Sequence, residues 1–198
     1  MNKEVPNHLQ YKWWVYLLTA VLIVVLWLTV FGILAKPKAT EKIGITFVGT
    51  EFNSAALEAD LPEIIKNISQ QEIKQVNVES VVEENVFTLD NILVARSQGV
   101  TDLFIWKGEL KAGIEDRYAV LDEQIVTAAL GDVTFHRVNG EAFAILLDGA
   151  NFSKYYSGSE QCWLLVSVNS VNFGGANGVG SSENDAALMI VKYLLGDE

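Results

Sequence analysis

Ile43-Gly44-Ile45-Thr46-Phe47-Val48 is a nearly unbroken run of apolar, β-branched and aromatic residues. Such a run predicts a strand buried on both faces, because a half-exposed strand would alternate polar with apolar positions. Downstream, Leu57, Leu61, Ile64, Ile65 and Ile68 fall on one face of a helix that Asn53 or Ser54 would cap. The alternation continues. Val76, Val78 and Val81-Val82 read as a second strand, Leu89, Ile92, Leu93 and Val94 as a second helix, and Asp102-Leu103-Phe104-Ile105-Trp106 as a third strand. A β-α-β-α-β order joins parallel strands by helical crossovers, which cover the sheet. The expected fold class is therefore α/β, a three-layer domain with a mostly parallel sheet in which the first and third strands are neighbours.

Beyond Trp106 the periodicity weakens, and Lys107 to Asp132 reads as short helices and loops around Leu110, Ile114 and Tyr118–Leu121. Phe135–Val138 and Ala142–Leu147 then form a predicted hairpin joined by Asn139-Gly140, a dipeptide that tolerates the positive φ angles of a two-residue turn. Trp163–Val168 is a further strand. A last helix runs from Glu183 to Leu195, with Ala186, Ala187, Ile190, Val191 and Leu194 on one face and a capping box from Ser182 to Asp185 at its start.

Upstream of the first strand, Trp13 to Ala35 is 23 residues without a charge, bounded by Lys12 and Lys36. A helix of that length crosses a hydrocarbon layer of about 30 Å. It lacks the small-residue cleavage site and short apolar core of a signal peptide. Trp13, Trp14 and Tyr16 suit the interfacial belt at one end. The expected organisation is a tail at 1–12, a transmembrane helix at 13–35, a linker at 36–42 in which Pro37 ends the helix, and one domain at 43–198. Lys3 and Lys12 before the span are matched by Lys36, Lys38 and Lys42 after it, so charge alone does not orient the helix. The short tail favours an N-terminus inside and a domain outside the cytoplasm.

Residues 43–198 carry nine basic and 23 acidic side chains, a formal charge of −14. Phosphate backbones and anionic lipid would repel such a surface, which argues against nucleic acid as a partner. Cys162 is the only cysteine, so the chain has no internal disulfide and no cysteine-based zinc cage. Its place in Cys162-Trp163-Leu164-Leu165-Val166 reads as a small buried hydrophobe.

Catalytic signals are sparse. His136 is the only imidazole in the domain, and Ser153, His136 and Asp148 lack the nucleophile-elbow sequence that would join them into a triad. Glu83-Glu84 and Asp122-Glu123 lack the spacing and glycine of a calcium loop. Gly174-Gly175-Ala176-Asn177-Gly178-Val179-Gly180 lacks the Gly-Lys-Ser/Thr ending of a phosphate loop. Asn67-Ile68-Ser69 and Asn151-Phe152-Ser153 match the glycosylation pattern. No enzymatic activity, cofactor or metal is expected.

Three stretches together resemble a known family. They are Lys42-Ile43-Gly44-Ile45-Thr46-Phe47, then Ser97-Gln98-Gly99-Val100-Thr101-Asp102-Leu103-Phe104-Ile105-Trp106, and finally Trp163–Asn169 followed by Asn184–Leu195. In that order they look like the first lobe of extracellular solute-binding proteins, the receptors of ABC importers, including the strand and helix by which the chain returns to that lobe. The resemblance implies one lobe of a periplasmic-binding-protein fold. Only about 55 residues stand where the family carries a whole second lobe, so a two-lobed clamshell cannot be built. Ligands of open parallel sheets dock beyond the carboxyl ends of the strands. By the resemblance, the ligand-binding residues would be Thr50, Glu51, Trp106 and Lys107, with Trp106 stacking on a sugar or similar solute. The implied function is a membrane-tethered domain beside an ABC importer permease, presenting solute or regulating the complex. The alternative is an extracytoplasmic interaction or assembly domain without small-molecule binding.

Overall fold

The computed structural model describes residues 7–34, 36–68, 72–82, 91–94, 96, 101–113, 116–174, 176 and 185–196. The chain divides into two units, Met1–Pro37 and Lys38–Glu198.

The first unit is helix α1, Asn7–Leu34. Its segment Trp13–Gly32 has a mean hydropathy of 2.5 over 20 residues, long and apolar enough to cross a membrane. Every residue from Trp13 to Gly32 is exposed and none carries a charge, so the helix has no charged face to turn toward water. The two threonine hydroxyls are hidden locally. Thr19 donates to the Val15 carbonyl at 2.8 Å and Thr29 to Val25 at 2.7 Å, which satisfies them within the helix.

The second unit is built on one six-stranded sheet. Its strands are β1 Lys42–Val48, β2 Gln75–Val81, β3 Leu103–Lys107, β4 Phe135–Val138, β5 Glu141–Leu147 and β6 Cys162–Val166, in the order β2-β1-β3-β6-β5-β4. β1 runs parallel to both neighbours, with Ile45 opposite Val78 on one side and Leu103 on the other. The first and third strands are thus adjacent, as the βαβ reading requires.

The sheet is mixed, however, which corrects the expectation of a mostly parallel one. β3 pairs antiparallel with β6, β6 with β5 and β5 with β4. The reason is local. Asn139 (φ 54°) and Gly140 (φ 91°) form the tight turn between β4 and β5, and a two-residue turn admits only an antiparallel partner.

Helices α2 (Ser54–Ile68), α3 (Glu123–Leu130) and α4 (Ala186–Leu195) complete the unit. Side chains from all three share one core with Ile43, Ile45 and Phe47 of β1. The opposite face carries Val48, Phe104, Trp106 and Leu165, covered by Leu93 and Tyr118. Leu93 belongs to a helical turn at 91–94. Among the described residues this second face has that turn in place of a full helical layer; Leu89 of the expected helix lies outside them.

Capping follows the sequence in part. Asn53 Oδ1 accepts from the Ala56 amide at 3.1 Å at the start of α2. Asp122 Oδ1 accepts from Gln124 and Ile125, starting α3 within the stretch expected to form short helices and loops. Glu123 holds Arg137 with two hydrogen bonds of 2.8 and 2.9 Å. The acidic pair Asp122-Glu123 is therefore a cap and an ion-pair partner. At α4 the expected capping box is corrected: Asp185 stands at the N-cap position without a side-chain cap bond. The Ala187 amide instead donates to the Asn172 carbonyl at 3.1 Å. Ser182, Glu183, Glu83-Glu84, Ile114, Ser69, Ser97-Gln98-Gly99-Val100 and 177–180 of the glycine-rich run lie outside the described residues.

A buried polar cluster ties β1 and β3 to the 167–172 turn. Asp102 Oδ1 accepts from Ser170 Oγ at 2.7 Å and Asn172 Nδ2 at 3.0 Å, while Oδ2 accepts from the Gly44 amide at 3.1 Å. Asn172 Nδ2 also donates to the carbonyls of Lys42 and Ala39 at 2.8 and 3.2 Å. Ala39–Glu41, inside the stretch read as a linker, is a 3₁₀ turn held further by the Lys74–Glu41 ion pair at 2.8 Å.

Candidate functional site

The carboxyl ends of β1 and β3 meet where the sequence places its candidate residues. Gly49 leaves β1 at φ 127°, and a Cβ there would lie 3.0 Å from Lys107 Cβ. Glycine allows the two strand ends to approach. Glu51 follows at φ 71°, an unusual conformation for a side-chain-bearing residue. Its carbonyl accepts from the Ser157 amide at 3.1 Å, which holds the turn in place. Next to it, Phe52 stacks on Phe47 at 4.5 Å and leans on Tyr156 at 4.9 Å, so the turn is pinned to the core.

Lys107 Nζ lies 2.7 Å from Glu51 Oε2 and 3.2 Å from Glu160 Oε1. The hydrogen bond it donates to Glu51, then that to Glu160, raise its pKa above the ordinary lysine value. Lys107 is therefore held as an ammonium and offers neither a base nor a nucleophile. Its side chain is 16% exposed against 47% for Glu51 and 58% for Glu160, so the carboxylates face solvent and the cation sits beneath them. Thr50 is exposed on the same turn.

Trp106 has a different position. It is 6% exposed and belongs to the second core with Phe104 and Leu165. The Lys111 ammonium stands 5.5 Å from its ring centroid. The sequence-derived set thus splits: Thr50, Glu51 and Lys107 share the strand ends, while Trp106 packs into a sheet face.

Three residues that the sequence reading did not select complete the surroundings. Glu160 comes from the approach to β6, and Trp163 lies directly opposite Trp106 across the β3–β6 pair. His136 of β4 meets the Trp163 ring edge-on at 5.4 Å. With Gly108, Glu109 and Leu110, these side chains line a shallow groove of about 450 Å³. The alternation along Cys162-Trp163-Leu164 was the only available signal, since Trp163 is half-buried where Cys162 and Leu164 are buried.

No family model, curated protein or solved structure matches this chain.

The chemistry of the remaining candidates is set by their contacts. Ser153 donates to the Ala150 carbonyl at 2.6 Å, and His136 is engaged with Trp163. Burial pushes the Cys162 thiol up to about 12, leaving almost no thiolate near neutral pH. Among the described residues no group of three or more His, Cys, Asp or Glu side chains is arranged to hold a metal ion. The strand-end arrangement can present carboxylates to a cationic group, and the adjoining groove adds an indole to them.

Proposed function

We propose that the chain is a single-pass protein of the cell membrane whose α/β domain lies outside the cytoplasm and binds a partner protein without enclosing a solute. One observation carries this reading: the strand ends that would receive a solute are filled by the Glu51–Lys107–Glu160 ion pairs. A solute would have to displace two charge-assisted contacts from Lys107 to reach it. With Trp106 in the core, its indole face is not offered at those ends. The acidic surface supplies electrostatic selection for a basic partner.

A second reading keeps the solute-receptor resemblance, as a single-lobed relative that presents solute to an ABC importer or regulates it. What favours it is β6, which returns late in the chain to lie antiparallel beside β3, followed by α4.

Two measurements separate the readings. A photo-crosslinking residue placed at exposed positions of the domain in native membranes should yield one discrete adduct at clustered positions. Calorimetry of the full chain in detergent against a panel of sugars should show no binding tighter than about millimolar, because an open surface buries too little of a small ligand. Micromolar sugar binding without a crosslinked partner would overturn the proposal in favour of the second reading.

A further inference from the structure

We infer that the groove beside the strand ends is a receptor for an arginine side chain presented by an extended segment of the partner protein. This rests on the partner-binding reading above and names the chemistry of the contact. The groove is lined by the half-buried Trp163 and Leu110 and by the exposed Glu109, Glu160 and Gln161. Indole faces attract cations, and carboxylates beside them add charge-assisted hydrogen bonds. The neighbouring strand already shows the same chemistry within the chain. Trp106, directly opposite Trp163, holds the Lys111 ammonium 5.5 Å from its ring centroid, whereas the ring partner of Trp163 is His136.

Shape and charge select the class of ligand. A volume of about 450 Å³ admits a long side chain, and the groove is open, so it suits a group projecting from a larger molecule. A sugar site would be expected to surround its ligand more completely. Glu160 shares one oxygen with Lys107 at 3.2 Å, and the exposed Glu109 lines the same groove. The formal charge of −14 over residues 43–198 draws cations toward the surface. Guanidinium fits better than ammonium, because it is planar, stacks on indole and bonds carboxylates through two N–H groups at once. Gln161 supplies an exposed amide to the backbone of the incoming segment.

The test uses the full chain in phosphatidylcholine nanodiscs, labelled with 5-fluorotryptophan, with the Trp163 resonance assigned by Trp163→Phe. The neutral lipid keeps a cationic probe off the bilayer. The probes are acetyl-Gly-Arg-Gly-amide, its citrulline counterpart and methyl glucoside. The arginine peptide is expected to shift the Trp163 resonance saturably while the other two leave it in place. Glu109→Gln should weaken that binding by about threefold or more, on the scale of one exposed charged contact. Glu58→Gln with Glu63→Gln, on the exposed side of α2, should leave it unchanged. An unmoved Trp163, equal binding of the citrulline peptide, equal weakening by the α2 pair, or a shift produced only by methyl glucoside would each overturn the inference. If the peptide fails while discrete crosslinks are obtained, the arginine contact is wrong and the partner-binding reading stands; if the crosslinks fail, that reading falls by itself.

Discussion

Asp102 and Lys107 both stand above their ordinary pKa, so each contributes stability that is lost as pH rises, but in well-separated windows. Burial raises the Asp102 carboxyl above its ordinary value of 3.8, opposed only in part by Ser170, the Gly44 amide and Asn172. A raised folded value means that the folded state favours the proton. The contribution of Asp102 to stability is therefore full below about pH 3.8 and is lost as pH rises through the folded value. Asp102→Asn keeps an oxygen for Ser170 and Asn172 but turns a donor toward the Gly44 amide, a mismatch that costs about 1–2 kcal/mol at acid pH. Urea midpoints of the two proteins should converge as pH rises, and a constant gap would refute the burial argument. Lys107 is also raised, but from 10.5. Its stabilisation is complete below that value and fades only as strongly alkaline solution removes the proton. Lys107→Met should melt lower than wild type near neutral pH, with Glu51 and Glu160 left without their shared cation. The gap in Tm should close only in strong alkali. A gap that persists there would assign the role of Lys107 to its aliphatic stem.

Two glycines separate backbone strain from steric exclusion. Gly140 sits at φ 91° with open space where a Cβ would project, so Gly140→Ala should cost about 1 kcal/mol through backbone conformation alone. At Gly149 a Cβ would collide with the Leu195 Cα and the Leu194 carbonyl in the last turn of α4. Gly149→Ala should cost roughly 3 kcal/mol, since main chain cannot swing aside as a side chain can. Equal losses in thermal unfolding would contradict this distinction. The first glycine was legible because Asn139-Gly140 is a local signal; the second was not, since its neighbour is 45 or more positions away. The same division runs through the fold. β1 and α2 announce themselves by an apolar run and a five-residue stripe, whereas α3 buries only Val126 and Leu130, too little periodicity over eight residues to read. The pairing of Trp106 with Trp163, and of Lys107 with Glu160, depends on β6 arriving beside β3. Lys107 is legible from its strand end, whereas its second carboxylate, Glu160, is brought to it only by the β3–β6 pairing.

At the scale of the whole molecule, the decisive property is a helix apolar on all sides. Trp13–Gly32 has a mean hydropathy of 2.5 with none of its span buried, and its threonine hydroxyls bond back to the helix. Water is a poor solvent for such a surface, and a bilayer is a good one because the backbone is already satisfied. An anchor and a cleaved leader share these properties but leave different proteins behind. The anchor reading predicts that the chain stays in the membrane fraction through alkaline carbonate, is released by detergent, and has an intact mass that includes Trp13–Gly32. A protein beginning beyond that segment and recovered in the soluble fraction would establish a leader instead. Replacing Leu22 and Val25 with Arg puts two charges near the middle of the span, each costing about 2.5–3.5 kcal/mol to insert. That variant should leave the membrane, and with it lose the crosslinks expected of the wild-type domain. Retention of the double-arginine chain in the carbonate pellet would mean that something other than this helix holds the protein there.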